Sequence, residues 1–82
     1  MEAVKPKIER KRTIYGLEWY IDGVKHAELQ CMVFINLSPI FEKILLHAAK
    51  TERVRLIRED YTSGGYGYCI TMTGLQKFIN VL

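Results

Sequence analysis

The chain has 82 residues, of which 49% are hydrophobic and 26% are charged. A chain of this length forms one domain, and this share of hydrophobic residues supplies a core, which argues against a disordered protein. Twelve Lys and Arg against nine Asp and Glu give a formal net charge of +3. That charge permits contact with nucleic acid but does not require it.

The cysteine and histidine residues exclude several classes of protein. Cys31 and Cys69 are too few and too far apart for a disulfide scaffold, and both lie in apolar runs that predict buried thiols. Neither His26 nor His47 stands at zinc-ligand spacing, so no metal and no cofactor is expected. No pattern typical of a catalytic nucleophile, an acid–base pair or a phosphate loop is present, which predicts a protein that is not an enzyme. The charged N-terminus and the shortness of the apolar runs predict a cytoplasmic protein without membrane contact.

The basic residues are concentrated at the N-terminus. The first twelve residues hold five of the twelve Lys and Arg, and Pro6 opposes an early helix. We therefore predict a basic arm over residues 1–12, followed by a single α+β domain over residues 13–82. Such an arm is either a solvated tail or a segment that contacts phosphates. Its candidate phosphate contacts are Lys5, Lys7, Arg10, Lys11 and Arg12.

The next segment predicts a β-hairpin. Two apolar-aromatic runs, 13–21 and 24–36, meet at Asp22-Gly23. This dipeptide is typical of two-residue type I′ turns, because both of its residues tolerate φ > 0. Counting outward from the turn gives the cross-strand pairs Ile21 with Val24, Tyr20 with Lys25, Trp19 with His26, and Leu17 with Glu28.

The same hairpin carries a family resemblance. Residues 18–28 read Glu-Trp-Tyr-Ile-Asp-Gly-Val-Lys-His-Ala-Glu. They resemble the short MORN-like hairpin repeats of many tailed-phage proteins, which read roughly Glu-Trp-Tyr-x-Asn/Asp-Gly-x-x-His-x-Glu. The resemblance implies a phage protein, and so a location in the host-cell cytoplasm, but it implies no particular chemistry.

The rest of the chain predicts a helix, two strands and a second helix. Ser38-Pro39 favours a helix start with Ser as N-cap and Pro in the first position. Strands are predicted over 53–59 and 66–72, and Thr73-x-x-Gln76 has the capping-box pattern of a closing helix. The expected fold is a small ββαββα sandwich of the α+β class, an antiparallel sheet with two helices on one face.

Residues 31–82 resemble the RNA-recognition motif, in the segments 54–59, 65–70 and 75–82 and with 32–37 as the first strand. In that family the third strand carries aromatic residues that stack on bases. The resemblance implies that Tyr66 and Tyr68 stack on bases, since residues two apart on a strand share one face. Arg53 and Arg55 add candidate phosphate contacts on the preceding strand. If helices cover this face, the two rings belong to the core instead, and the sequence leaves both alternatives open.

These observations predict a small, non-enzymatic, phage-type binding protein that acts on RNA or on a protein–RNA complex, in counter-defence or host takeover. The first alternative is an inhibitor or adaptor that binds a host or defence protein directly, without nucleic acid. A second alternative comes from Tyr68-x-Ile70-Thr71-x-x-Gly74-x-x-x-Phe78, which resembles the last strand and closing helix of winged-helix repressors. That resemblance implies a DNA-binding regulator.

Overall fold

A computed structural model describes residues 7–82 of the chain, whose elements follow the order ββββαββα. The strands are β1 (Ile8–Arg12), β2 (Gly16–Ile21), β3 (Val24–Gln30), β4 (Val33–Ile35), β5 (Ile57–Asp60) and β6 (Tyr66–Cys69), and the helices are α1 (Pro39–Glu52) and α2 (Met72–Val81). The strands form one antiparallel sheet in the order β1-β2-β3-β4-β6-β5. The predicted α+β class is confirmed, but the predicted order ββαββα lacks two of these strands.

Both helices pack on one face of the sheet, as predicted, around a set of aromatic rings. The ring centroid of Trp19 in β2 lies 5.3 Å from that of Phe34 in β4 and 6.0 Å from that of Phe41 in α1. The ring of Phe34 lies 6.0 Å from that of Phe78 in α2. All four rings are fully buried. One continuous core therefore joins the sheet to both helices.

Residues 8–12, predicted as part of a basic arm, form the edge strand β1. Each of them pairs with a residue of β2. Asp22 holds the start of the strand, because its N–H donates to the Lys7 carbonyl at 3.0 Å and its carboxylate accepts from the Lys7 N–H at 3.2 Å. The prediction that residues 8–12 belong to an arm is therefore wrong. The charged sequence that suggested an arm is also typical of an edge strand. Residues 1–6 of that arm lie outside the described part of the chain.

Two tight turns divide the central strands. The turn at Asp22-Gly23 is confirmed, with φ angles of 51° and 83°. A second turn at Cys31-Met32, with φ angles of 50° and 63°, splits the predicted strand 24–36 into β3 and β4. The sequence did not predict it, because neither residue is a usual turn former. Cys31 is exposed in this turn, which corrects the prediction of a buried thiol at that position.

A β-bulge in β3 decides which side chains face the core. Uninterrupted pairing of Trp19 with His26 would turn Glu28 toward the core face. The structure instead pairs Trp19 with Ala27 and leaves His26 as the extra residue of the bulge. Ala27 and Leu29 are buried in the core as a result. The predicted pair of Trp19 with His26 is therefore wrong.

The bulged His26 also ties the start of α1 to the sheet. The N–H of Ser38 donates to the His26 carbonyl at 2.9 Å, and Ser38 Oγ lies 2.6 Å from His26 Nδ1. Ser38 Oγ accepts from the Phe41 N–H at 3.1 Å, and Pro39 occupies the first turn. The predicted Ser-Pro helix start is thus confirmed.

Element boundaries in the second half lie between zero and four residues from the predicted ones. Arg53 ends α1 in the left-handed conformation, with φ of 56°, and β5 begins four residues later. Arg53 and Arg55 therefore lie in a connection rather than on the predicted strand 53–59. The N-cap of α2 is Thr71 instead of Thr73, because Thr71 Oγ1 accepts from the Gly74 N–H at 3.1 Å.

Candidate nucleic-acid interface

The turn between β1 and β2 presents two large apolar side chains to solvent. Thr13 Oγ1 accepts from the N–H groups of Tyr15 and Gly16 at 3.2 and 3.1 Å, and the Thr13 N–H donates to the Gly16 carbonyl at 2.8 Å. These bonds brace a four-residue turn whose tip holds Ile14, 90% exposed, and Tyr15, 70% exposed. These bonds therefore order the backbone that carries the exposed Tyr15.

A cleft of about 590 Å³ opens beneath this turn, between the sheet and α2. Its apolar floor consists of Leu17, Leu29, Met32, Leu75 and Ile79. Its polar rim is formed by Arg10, Arg12 and Thr13, and Tyr15 also lines it. A mostly apolar concavity with a few converging polar groups is the usual form of a ligand site.

Two of the predicted phosphate contacts, Arg10 and Arg12, lie together at this cleft. They alternate along β1 and oppose Trp19 and Leu17, so both are on the helix-bearing side of the sheet. Arg10 Nη1 donates to the Ile79 carbonyl at 2.9 Å, in the last turn of α2 where carbonyls lack helical partners. Arg12 is exposed and has no ion pair among the described residues. Arg10 is thus anchored to the helix, and Arg12 is available to an anion.

The other basic residues of the predicted arm lie elsewhere. Lys11 is on the opposite face of the sheet, with its ammonium 4.5 Å from the centroid of the Tyr20 ring. Lys7 is exposed, near the Asp22-Gly23 turn, with its Nζ 3.9 Å from a Glu9 carboxylate oxygen. Lys5 falls outside the described residues. Of the four predicted contacts within residues 7–82, the structure therefore joins Arg10 and Arg12.

Arg53 and Arg55 form a second, separate basic region. They line a small cavity of about 110 Å³ with Lys77 of α2, beside the start of that helix. None of these three residues lines the cleft that holds Arg10 and Arg12. The predicted site thus divides into two basic regions on different parts of the surface.

Tyr66 and Tyr68 do not form an open stacking platform. Both rings point toward α1, where their hydroxyls donate to the two carboxylate oxygens of Glu42 at 2.7 and 2.6 Å. Tyr68 is only 7% exposed, and the Arg58 guanidinium lies 4.1 Å from the centroid of the Tyr66 ring. Tyr68 pairs with the core residue Phe34, so its face is the one that the helices cover. These contacts argue against the predicted base-stacking role, because stacking requires an exposed ring: Tyr68 belongs to the core, and the half-buried Tyr66 ring is occupied by Arg58 and Glu42.

The Glu42 carboxylate couples the stability of this cluster to pH. Hydrogen bonds from Tyr68 and Tyr66 lower the pKa of Glu42 below its usual value, because they favour its charged form. A carboxyl whose pKa is lower in the folded than in the unfolded chain stabilises the fold above the unfolded pKa. That stabilisation is lost as the pH falls through the folded pKa.

We expect the unfolding temperature to decrease as the pH falls below about 4.3, the usual glutamate pKa, in part because Glu42 becomes protonated. Glu42→Gln removes the titrating group, so the variant should start less stable at neutral pH and lose less on acidification. Thermal melts from neutral to strongly acidic pH check this expectation. Equal acid-induced losses in the two proteins would contradict it.

Sequence reasoning missed Ile14, Tyr15 and Lys77. The first two were placed inside a predicted strand, 13–21, because both have high β propensity. The available signal was the pair of turn formers around them, Thr13 and Gly16, which bracket a four-residue turn. The position of Lys77 depends on how α2 packs, which the local sequence does not reveal.

The part of the chain that the structure describes holds no cluster of three His, Cys, Asp or Glu side chains able to bind a metal ion. Neither of its helices is long and apolar enough to cross a membrane. The chain matches no protein-family model, no curated protein and no solved structure.

Proposed function

We propose that this protein is a non-enzymatic binding protein whose cleft takes single-stranded RNA, alone or within a protein–RNA complex. One observation carries the proposal, namely that an exposed tyrosine on a braced turn stands beside two arginines and an apolar cleft. Proteins that bind single strands combine cationic groups for the backbone with aromatic rings for the bases. The cleft brings both kinds of group together.

Tyr15 supplies the stacking surface. Tyr15 is 70% exposed, and the Thr13 bonds fix the backbone that carries it. An ordered backbone reduces the entropy lost when a base stacks. The apolar floor of the cleft offers a contact surface for a further base. A base that stacks on Tyr15 must be unpaired.

Arg12 and Arg10 supply the phosphate contacts. Their side chains leave the same side of β1 about 7 Å apart, by the geometry of alternate strand residues. A guanidinium matches a phosphate through paired N–H donors. Since Arg10 also holds α2, we assign the main phosphate contact to Arg12.

We expect Tyr15→Ala to weaken binding of a labelled oligouridine of about 12 nucleotides by about 5- to 150-fold. Arg12→Gln should weaken binding and reduce the slope of log affinity against log salt by about 0.7, because one phosphate contact is lost. Fluorescence anisotropy at several salt concentrations measures both effects. An equally long duplex should bind less tightly than the single strand.

Lys11→Gln is the matched control, since it removes the same charge from the same strand on the opposite face. It should change affinity far less than Arg12→Gln. If Lys11→Gln and Arg12→Gln weaken binding equally, the attraction is a general effect of net charge and the cleft is not the site.

A second candidate function is direct binding of a host or defence protein, as an inhibitor or adaptor. It is favoured by an exposed apolar groove between α1 and α2, lined by residues distinct from those of the cleft. Because the hairpin resembles those of phage proteins, both candidate functions would serve counter-defence or host takeover in the host cytoplasm.

A further inference from the structure

The surface between α1 and the end of α2 holds a groove of about 500 Å³ that the RNA proposal does not use. Its apolar walls are Ile44 and Ala48 of α1 together with Val81 and Leu82 at the end of the chain. Val81 is 49% exposed, and the groove is open along its length. Val81 is therefore in contact with water, Ile44 and Leu82 are half-buried, and Ala48, at 9% exposed, belongs to the core at the base of the groove.

One row of α1 side chains extends this groove toward the start of the helix. Ile40, Ile44 and Ala48 are spaced four apart, so they lie one above the other on a single side of α1. Ile40 is 61% exposed. From Ile40 to Ala48 the row is about 12 Å long at 1.5 Å per residue. That length corresponds to about two turns of a second helix laid along it.

A row of basic residues runs beside the apolar one. Lys43, His47 and Lys50 are spaced four and three apart on α1, and all three are exposed. Neither lysine takes part in an ion pair within residues 7–82. Glu42, the acidic residue next to Lys43, accepts from two tyrosines on another side of the helix. The groove is thus apolar along its floor, with Lys43 and His47 along one rim and the single acidic residue Glu52 beside Thr51 at the end of α1.

We propose that this groove binds an acidic amphipathic helix of a partner protein. Such a helix would place apolar residues at i, i+4 and i+7 against the row from Ile40 to Ala48, and carboxylates against the lysines. A second copy of this chain fits less well. A two-fold contact through the groove would bring the same basic row of each copy together, in a protein of net charge +3.

The test uses a designed, fluorescein-labelled helical peptide of about 18 residues, with Leu at the anchor positions and Glu on the flanking faces. A second peptide has the same composition in scrambled order, and a third carries Lys instead of Glu. We expect the first peptide to bind the full chain at least about tenfold more tightly than either of the others. Ile40→Ser should reduce the affinity for the first peptide about tenfold, and Lys43→Glu should reduce it about fivefold.

Met72→Ser is the matched control for Ile40→Ser. Met72 is also 61% exposed, but it lies at the start of α2, whereas the groove lies at the end of that helix. Met72→Ser should leave peptide affinity unchanged. Because Ile40 and Met72 are both largely exposed, neither substitution should unfold the protein, and circular dichroism checks this point.

Three outcomes would overturn the proposal. Equal binding of the ordered and scrambled acidic peptides would mean charge attraction without a groove. Equal losses in Ile40→Ser and Met72→Ser would place the peptide elsewhere. A dimer in sedimentation equilibrium that Ile40→Ser dissociates would make a second copy the occupant.

Discussion

Tyr68→Ala is expected to reduce the free energy of unfolding by roughly 3–5 kcal/mol, the usual cost of removing a large buried ring. Tyr68 is 7% exposed, packs edge-to-face on Tyr66 with ring centroids 6.0 Å apart, and donates to Glu42. Its removal leaves a cavity under α1 and takes one donor from the carboxylate. Chemical denaturation of the variant measures the loss.

Tyr68→Phe separates the two contributions of this residue. It keeps the ring and removes only the hydroxyl, so it should cost about 1.5–3 kcal/mol, the range for a hydrogen bond to a charged group. At a temperature where both variants are folded, their RNA affinity should equal that of the unchanged chain. An unchanged stability together with lost RNA binding would contradict the core assignment and restore the stacking platform.

Gly16→Ala is expected to destabilise the protein by roughly 2–4 kcal/mol. A Cβ at this position would lie 2.0 Å from the Leu29 carbonyl oxygen, a backbone atom of the adjacent strand in the sheet. Gly16 also has φ of 152°, which L side chains rarely adopt. Relief of the clash must separate β2 from β3 or distort the turn that carries Tyr15, so RNA affinity should fall as well.

Gly23→Ala provides the control for this substitution. Gly23 also has a positive φ, of 83°, but a Cβ there would meet nothing within 4 Å. Gly23→Ala should therefore lower the free energy of unfolding only by the cost of holding alanine at a positive φ, about 1 kcal/mol, and leave RNA binding intact. Denaturation midpoints of the two variants, measured side by side, check the difference. Equal losses would show that the approach to Leu29 is not what requires glycine at position 16.

Local sequence signals were sufficient to predict the features that a few adjacent residues determine. Asp22-Gly23 has the turn chemistry of a type I′ hairpin, and Ser38-Pro39 has that of a helix start, and both are confirmed. The α+β class with two helices on one face follows from the alternation of such signals. These features depend on backbone preferences that act within four or five residues.

The missing strands have a different cause. β1 contains one apolar residue, Ile8, in a run of charges, so its pairing depends on β2 rather than on its own sequence. The turn before β4 places Cys31 and Met32 at positive φ, which local propensity disfavours and tertiary packing imposes. Neither feature is visible in a window of a few residues.

The sequence predicted which residues of the candidate site are basic, but not how their side chains are arranged. The sequence identifies Arg10, Lys11 and Arg12 as basic, but only the pairing of β1 with β2 shows that Lys11 faces away from the other two. The orientation of Tyr66 and Tyr68 depends on Glu42, more than twenty residues earlier in the chain. Which face of a strand is covered is a long-range property of the fold.

The most direct measurement is an NMR titration of the isotopically labelled protein with the oligouridine, followed through its backbone amide signals. The proposed site predicts that the largest shifts fall in the turn 13–16, at Arg10 and Arg12 of β1, and at Leu75 and Ile79 of α2. The amides of Lys11 and Tyr20, whose side chains share the opposite face, should shift less. Shifts confined to that opposite face or to α1, or no shifts at all, would contradict RNA binding at the cleft.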